Sequence, residues 1–511
     1  MSKLSNVIDG SLFFRAVDAV LAFFTRFFSG SALIGLAGRE TGAGFERSVT
    51  YKALQLPLIA CEKVKSAFFA DFIKSGFFVS GDFLKKTVCF LFTDKSDILK
   101  FVKNALFMSE EGEWDFTLGY GLALLVAALA PFLPTMVTAV IIAAAIVSTA
   151  ARLLTDARAS YKPDIIGAFI SLYIFTAFFC AATSFTPASS MRIAALTSLF
   201  AAVYFLFAAS VTTRKKLRAV VTAFVSAAAV TAIYGLYQKY SGKVDMTWVD
   251  KELFEGTKLR VFSVFGNPNV YGEYLLLAIP LAFSAFFMFK KGVVKIYFLL
   301  AGCLTLAALA LTYSRGCYVA FAFGALVFAL FAQKRLVTVF AASIFAAPFA
   351  LPPDIINRLS SITNLEDSST SYRLNIWQAT LRVIKDFWPS GVGQGIDAFN
   401  SVYPLYAFNA VPAPHTHSLF MQIITETGAF GFLAFFCVIF SFFKTVAPFI
   451  FKNARNRLFA SSASAAAIAA GVAAFLCQGA FDYVFYNYKV FMLFFMFLSI
   501  GAIYVKTSEG A

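Results

Sequence analysis

From Trp114 onward the chain is a train of long apolar segments, and segments of that kind can be satisfied in few ways. Twelve runs lie at about 116–133, 135–154, 165–185, 193–211, 219–237, 270–289, 295–312, 317–333, 336–352, 420–443, 458–479 and 489–505. They are rich in Ala, Leu, Phe, Val and Ile and poor in charge. As a helix, about 20 such residues match the hydrocarbon thickness of a bilayer. Inside lipid each segment must pair its own backbone N–H and C=O groups, which a helix does. The expected fold class is therefore an all-α polytopic membrane protein with about twelve transmembrane helices. Composition excludes the alternatives: with 59% hydrophobic and 14% charged residues, the chain has too little charge to cover its apolar mass in water. It is also too apolar to remain disordered.

The net charge of +15 is a topology signal. With the N-terminus inside and alternating crossings, the inner connections hold Arg152, Arg158, Lys162, Arg214, Lys215, Lys216, Arg218, Lys290, Lys291, Lys295, Lys334, Arg335, Lys444, Lys452, Arg455, Arg457 and Lys506. Only Asp156, Asp164 and Glu509 offset them. Lys and Arg concentrate in cytoplasmic loops, so this regularity supports the helix count. A basic surplus disposed in this way points to a membrane and away from nucleic acid as the partner. The expected location is the cytoplasmic membrane, crossed many times.

Residues 1–113 differ from the rest. They carry 14 basic and 12 acidic residues, which interrupt the apolar runs every few positions. Leu12–Leu36 contains Arg15, Asp18 and Arg26, a spacing that gives a helix a narrow polar stripe. No stretch here reaches a clean span, and the start does not read as a signal peptide. The expectation is an amphipathic, interfacial helical region over 1–113, followed by a transmembrane domain over 114–511.

Two outer connections are long, about 240–269 and 353–418. Loops of that length are commonly functional. Within the second, Ser371–Phe387 places Leu374, Trp377, Leu381 and Ile384 three and four apart, which predicts a helix ending near Trp388-Pro389. A small helical cap over the outer end of the bundle is expected. Gly391-Val-Gly393-Gln-Gly395 has the composition of a phosphate loop but not its strand–helix context, and reads as a flexible cap turn. The seven cysteines show no CxxC spacing and read as small packing residues.

Both histidines of the chain fall in one tripeptide, His415-Thr416-His417, at the end of the large outer loop. Imidazole is the side chain best suited to take a proton near neutral pH. Arg260, Arg315 and Arg373 lie on the same side. A guanidinium at a membrane edge calls for an anionic partner, and several together suit a diphosphate, which arginine clamps with two donors at once. Asp482, between the last two apolar runs, is placed to orient a histidine or an arginine. Glu366-Asp367 sits in a Ser/Thr-rich stretch and reads as a solvated turn, so no metal site and no cofactor are expected.

Four pieces in order then resemble the O-antigen ligase and polysaccharide polymerase superfamily of bacterial membrane glycosyltransferases. They are Arg260-Val-Phe-Ser-Val-Phe-Gly266-Asn267-Pro268-Asn269; Leu311-Thr-Tyr-Ser314-Arg315-Gly316; Arg373-Leu-Asn-Ile-Trp377 with Pro389-Ser-Gly391-Val-Gly393-Gln-Gly395; and His417-Ser418, nine residues, Gly428-Ala-Phe-Gly431. The resemblance implies transfer of a glycan from a polyprenyl-diphosphate carrier to an acceptor hydroxyl on the outer face. It implies His417 as general base, with His415 beside it, and diphosphate recognition by Arg315, Arg260 and Arg373. The acceptor is a glycan or a lipid-linked glycan: ligase and polymerase differ only in which. Glu426, about 13 Å along a continuous helix from His417, is too far to be its partner and reads as structural or acceptor-binding. A transporter or flippase is the alternative. It calls for ionisable residues near the midplane, whereas here they gather at one face.

Overall fold

The computed structural model describes residues 117–155, 159, 161–242, 260–332, 335–350, 352–360, 368–407 and 412–509. The expected amphipathic region 1–113, its boundary at 114 and the Glu366-Asp367 pair lie outside the described residues.

In chain order the helices are α1 (Leu118–Leu129), α2 (Thr135–Thr155), α3 (Ile165–Ala182), α4 (Pro187–Ala201), α5 (Val203–Ser210), α6 (Arg214–Ser241), α7 (Pro268–Met288) and α8 (Gly292–Leu311). They continue with α9 (Arg315–Ala332), α10 (Arg335–Ala350), α11 (Pro353–Ser360), α12 (Ser368–Phe387), α13 (Ile396–Val402), α14 (Leu419–Arg455), α15 (Phe459–Phe481) and α16 (Tyr488–Glu509). All twelve apolar segments fall on helices. Among the described residues α2, α3, α4 with α5, α6, α7, α8, α9, α14, α15 and α16 are long and apolar enough to cross a membrane, ten spans in all. The α10–α11 pair, bent by 110°, makes an eleventh if taken as one span. The first segment yields only the 12 residues of α1. Pro131 and Pro134 follow directly and cannot donate the backbone hydrogen bonds that would extend it.

Small residues set the packing. Against lipid there is little hydrophobic gain in bringing helices together, so close backbone approach supplies the attraction. The Ala/Ser-rich α15 packs against α7, α9 and α14. An added side chain at Gly324 of α9 would meet Ala474 Cβ at 2.8 Å, and one at Gly471 of α15 would meet Pro280 at 3.3 Å. Other large apolar side chains face outward: Val140, Val147, Phe175, Leu300, Phe430 and Leu433 are all exposed, as a lipid-facing surface requires. The basic connections gather at one end, where Arg218 donates to Met288 O at 2.9 Å and Arg214 to Ser508 Oγ at 2.7 Å.

The opposite end carries the cap. It contains α11, α12, α13 and a 3₁₀ turn at Tyr403–Leu405. Two small clusters hold it: Ile376, Ala379, Phe399, Tyr403 and Ala413 in one, Val383, Val392 and Val402 in the other. The helix expected from Leu374, Trp377, Leu381 and Ile384 is present, but it buries a different face. Ile376, Ala379, Thr380 and Val383 are inside, while Leu374 and Leu381 are exposed. Helical periodicity shows that a stripe exists; the cap residues packed on the helix decide which stripe is covered.

The glycine-rich turn is not a loose loop, contrary to its composition. α14 breaks at Gly428, where φ is 60° and ψ is −168°. The break frees backbone groups, and the turn takes them: Val392 N–H donates to Thr425 O at 2.8 Å, Gly393 N–H to Glu426 O at 3.2 Å, and Ala429 N–H to Trp388 O at 2.7 Å. Gly391, Gly393 and Gly395 all have positive φ, the region glycine enters without a Cβ penalty. The turn is thus knitted into the broken membrane helix as substitute backbone pairing.

Candidate functional site

Ser418 caps the N-terminus of α14, its hydroxyl accepting from Met421 N at 3.5 Å. Directly before it stands His417, with φ at 50°. A non-glycine residue in this region stores strain that its surroundings must hold, and such residues cluster at functional positions. The surroundings are specific. His417 N–H donates to His415 Nδ1 at 3.2 Å. Thr416 is fully buried; its N–H donates to Gln422 Oε1 at 2.8 Å, and its carbonyl accepts from Trp377 Nε1 of α12 at 3.0 Å.

Asp482, just past the end of α15, is the hub. Its Oδ1 lies 3.3 Å from His417 Nδ1 and accepts from Tyr483 N at 2.9 Å. Its Oδ2 lies 3.4 Å from an Arg373 guanidinium nitrogen and 3.4 Å from Asn269 Nδ2. Its backbone carbonyl accepts from Leu419 N at 3.1 Å, which ties the start of α14 to the end of α15. Burial alone would raise this carboxyl; Arg373 and then the histidines outweigh it and hold it below the usual carboxylate range. The carboxylate is thereby kept charged beside the imidazole.

His415 is buried, its ring 4.2 Å from that of His417 and 4.9 Å from that of the exposed Tyr486, centroid to centroid. Burial, with the neighbouring His417, pushes it down to about 3. It is a neutral ring that accepts the His417 amide.

The arginines form a second group linked to the first. Arg260 donates from Nε to Thr312 O at 2.8 Å and from NH2 to Asn269 Oδ1 at 2.9 Å, so Asn269 bridges Arg260 to Asp482. Asn267 fixes the start of α7 by accepting from Asn269 N and Val270 N, with Pro268 in the first turn. Arg315 opens α9 after Tyr313, which has φ at 50°. Arg358 Nε of α11 donates to the Tyr313 carbonyl at 3.1 Å. Burial, then the charges of Arg358 and Arg315, push the Arg260 guanidinium down to about 10. Three guanidiniums within electrostatic reach favour an anion among them.

All seven residues singled out by sequence are therefore connected or adjacent: His417, His415, Asp482 and Arg373 directly, Arg260 through Asn269, Arg315 through its charge on Arg260, and Glu426 through Gln422 and Thr416. Arg373 is tied to the orienting carboxylate. Glu426 lies further along α14 than His417, as its helical position requires, and reaches the histidine loop through Gln422. It is buried, and its Oε1 accepts from Gln422 Nε2 at 2.9 Å and from Gly395 N at 3.1 Å. Sequence reading missed Arg358, Asn269 as the bridge, Trp377 as a donor, and Gln422. Asn269 and Trp377 lay within the pieces that carry the family resemblance, and Arg358 is a lone basic residue just beyond an apolar segment, on the same side as the other arginines; Gln422 carried no signal. Among the described residues no group of three or more His, Cys, Asp or Glu is arranged to hold a metal.

Comparison with known families places a match to the O-antigen ligase model at residues 275–436, about a third of the chain. The match spans Arg315, Arg358, Arg373, both histidines and Glu426; Arg260, Asn269 and Asp482 lie outside it. No curated protein matches the chain.

Proposed function

We propose that this chain, which carries an O-antigen ligase domain, is a membrane glycosyltransferase that moves a glycan from a polyprenyl-diphosphate carrier to an acceptor hydroxyl at the outer face of the cytoplasmic membrane. The observation that carries the reading is the meeting at Asp482 of a histidine and an arginine network.

The Asp482 contact selects the tautomer in which His417 Nδ1 bears the hydrogen, which leaves the Nε2 lone pair to take a proton. The acceptor hydroxyl gives its proton to Nε2 as its oxygen attacks the anomeric carbon of the donor glycan. The bond from that carbon to the diphosphate oxygen breaks, and the diphosphate leaves with the electron pair. Arg260, Arg315 and Arg358 meet the charge that grows on it, a stabilisation largest where donors are already fixed. Arg373 and Asn269 keep the Asp482 carboxylate in place. Attack from the face opposite the diphosphate inverts the anomeric centre. The arginines supply the cationic charge the leaving group needs, so transfer is expected without added divalent cation.

The test uses purified full-length protein, a polyprenyl-diphosphate-linked glycan and a candidate acceptor. His417→Ala and Arg315→Ala should transfer little or no glycan, and wild-type transfer should survive EDTA. Wild-type rates in both variants would overturn the assignment, and a strict need for Mg²⁺ would overturn the arginine-only account of the leaving group.

A further inference from the structure

The strained backbone of His417 is held by a polar path that ends in the cap. Thr416, the residue before it, has every backbone polar group engaged: its N–H by Gln422 and its carbonyl by Trp377. Its hydroxyl accepts from Ser418 N at 3.3 Å and donates to Ser418 O at 2.8 Å. Gln422 uses both ends of its amide, Oε1 toward Thr416 and Nε2 toward Glu426, which fixes its orientation. Glu426, one helical turn further on the same face of α14, accepts at the same oxygen from Gly395 N of the glycine turn. That turn is itself bonded to the α14 break at Val392, Gly393 and Trp388. A buried carboxylate in a membrane-spanning helix is costly and tends to be kept for a purpose. Here its visible purpose is to join the cap turn to the histidine loop.

We infer that Gln422 and Glu426 are positioning residues for His417, and that through them the glycine turn of the cap sets the geometry of the base. The inference deepens the proposed function and rests on His417 as the base. Glu426 acts as an acceptor of two hydrogen bonds, and a neutral amide oxygen can do the same. Its proton and charge are not used.

Having only two histidines makes the test direct. Full-length protein labelled with ¹⁵N-histidine gives two sets of imidazole signals, and His417→Ala identifies which set belongs to His417. In Gln422→Leu and Glu426→Leu the His417 signals should move or broaden. Glycan transfer should fall about tenfold or more in kcat with the donor KM little changed, since small misplacements of a reacting group cost rate. Glu426→Gln should restore both readouts to near wild type. Trp377→Phe, which removes only the bond to the Thr416 carbonyl and leaves α14 intact, should disturb the His417 signals in the same way and serves if the leucine variants do not fold. Unmoved His417 signals in Gln422→Leu or Trp377→Phe would overturn the inference, as would Glu426→Gln failing as badly as Glu426→Leu. The spectroscopic arm needs no substrate. If the signals move but wild-type protein transfers no glycan, the positioning stands and the proposed function fails.

Discussion

The Nδ1 of His417 lies 3.3 Å from the Oδ1 of Asp482, which follows it by 65 positions in the chain. Arg373 and Asn269 contact the other carboxylate oxygen of Asp482, and under the proposed mechanism Asp482 holds the His417 ring and its tautomer. His417→Ala should lower the transfer rate by about 10²-fold or more, the scale of a lost general base. Asp482→Asn keeps the size of the side chain but not its charge, and should lower kcat at least about tenfold with the donor KM little changed. Initial rates of glycan transfer check both.

His415 gives the protein a specific acid sensitivity. Its folded-state value is held near 3, well below the ordinary value of about 6.5. Its contribution to stability is therefore complete above pH 6.5 and is lost as pH falls from about 6.5 toward 3. The slope is at most about 1.4 kcal/mol per pH unit. Asp482, held below the usual carboxylate range, loses its contribution only below about pH 4. Melting of the detergent-solubilised protein should weaken between pH 6.5 and 4.5, and His415→Phe should weaken less over that interval. Equal acid sensitivity in the two proteins would count against a buried neutral His415.

Arg358 belongs with Arg260 and Arg315, and its removal should act on the donor. Arg358→Ala is expected to raise the donor KM by roughly tenfold while leaving the acceptor KM unchanged. Inorganic pyrophosphate, used as a competitor, should inhibit that variant less than wild type. Arg260→Lys should also be impaired, because Arg260 holds Thr312 O and Asn269 with two separate nitrogens, which an ammonium on a flexible stem does not reproduce.

Two glycines with similar φ should respond differently. Gly266 has φ at 71° with open space around it, so Gly266→Ala meets only the backbone cost, about 1 kcal/mol. Gly428 has φ at 60°, and a side chain there would run into the Pro389 carbonyl and lie 2.8 Å from Gly391 N. Gly428→Ala should cost at least about 2 kcal/mol and detach the glycine turn from α14. Thermal melting and yield of folded protein compare them; equal losses would argue against the knitted break.

Much was legible in the sequence because the bilayer acts on one segment at a time. A segment's length and apolar content decide whether it becomes a helix, so all twelve runs fell on helices without any knowledge of their neighbours. The short α1 and the bent α10–α11 pair are where local prolines and the cap modified that rule. The two histidines stood out through rarity, and the arginines through their cost at a membrane edge. The pairings were not legible. Asp482 could be assigned to a histidine or an arginine and contacts both; the glycine turn looked loose and is bonded to a break in α14. Those contacts join residues far apart in the chain, and nothing local to either partner specifies the other. They arise because small residues let α7, α9, α14 and α15 approach closely enough to bring four helix ends to one point. Sequence alone determined which segments become apolar helices and where the histidines and the first arginines stand, since both are properties of single stretches. It did not decide that only ten of the twelve are, among the described residues, helices long enough to cross by themselves. The tertiary structure decided which residues act together, since that depends on how the helices pack.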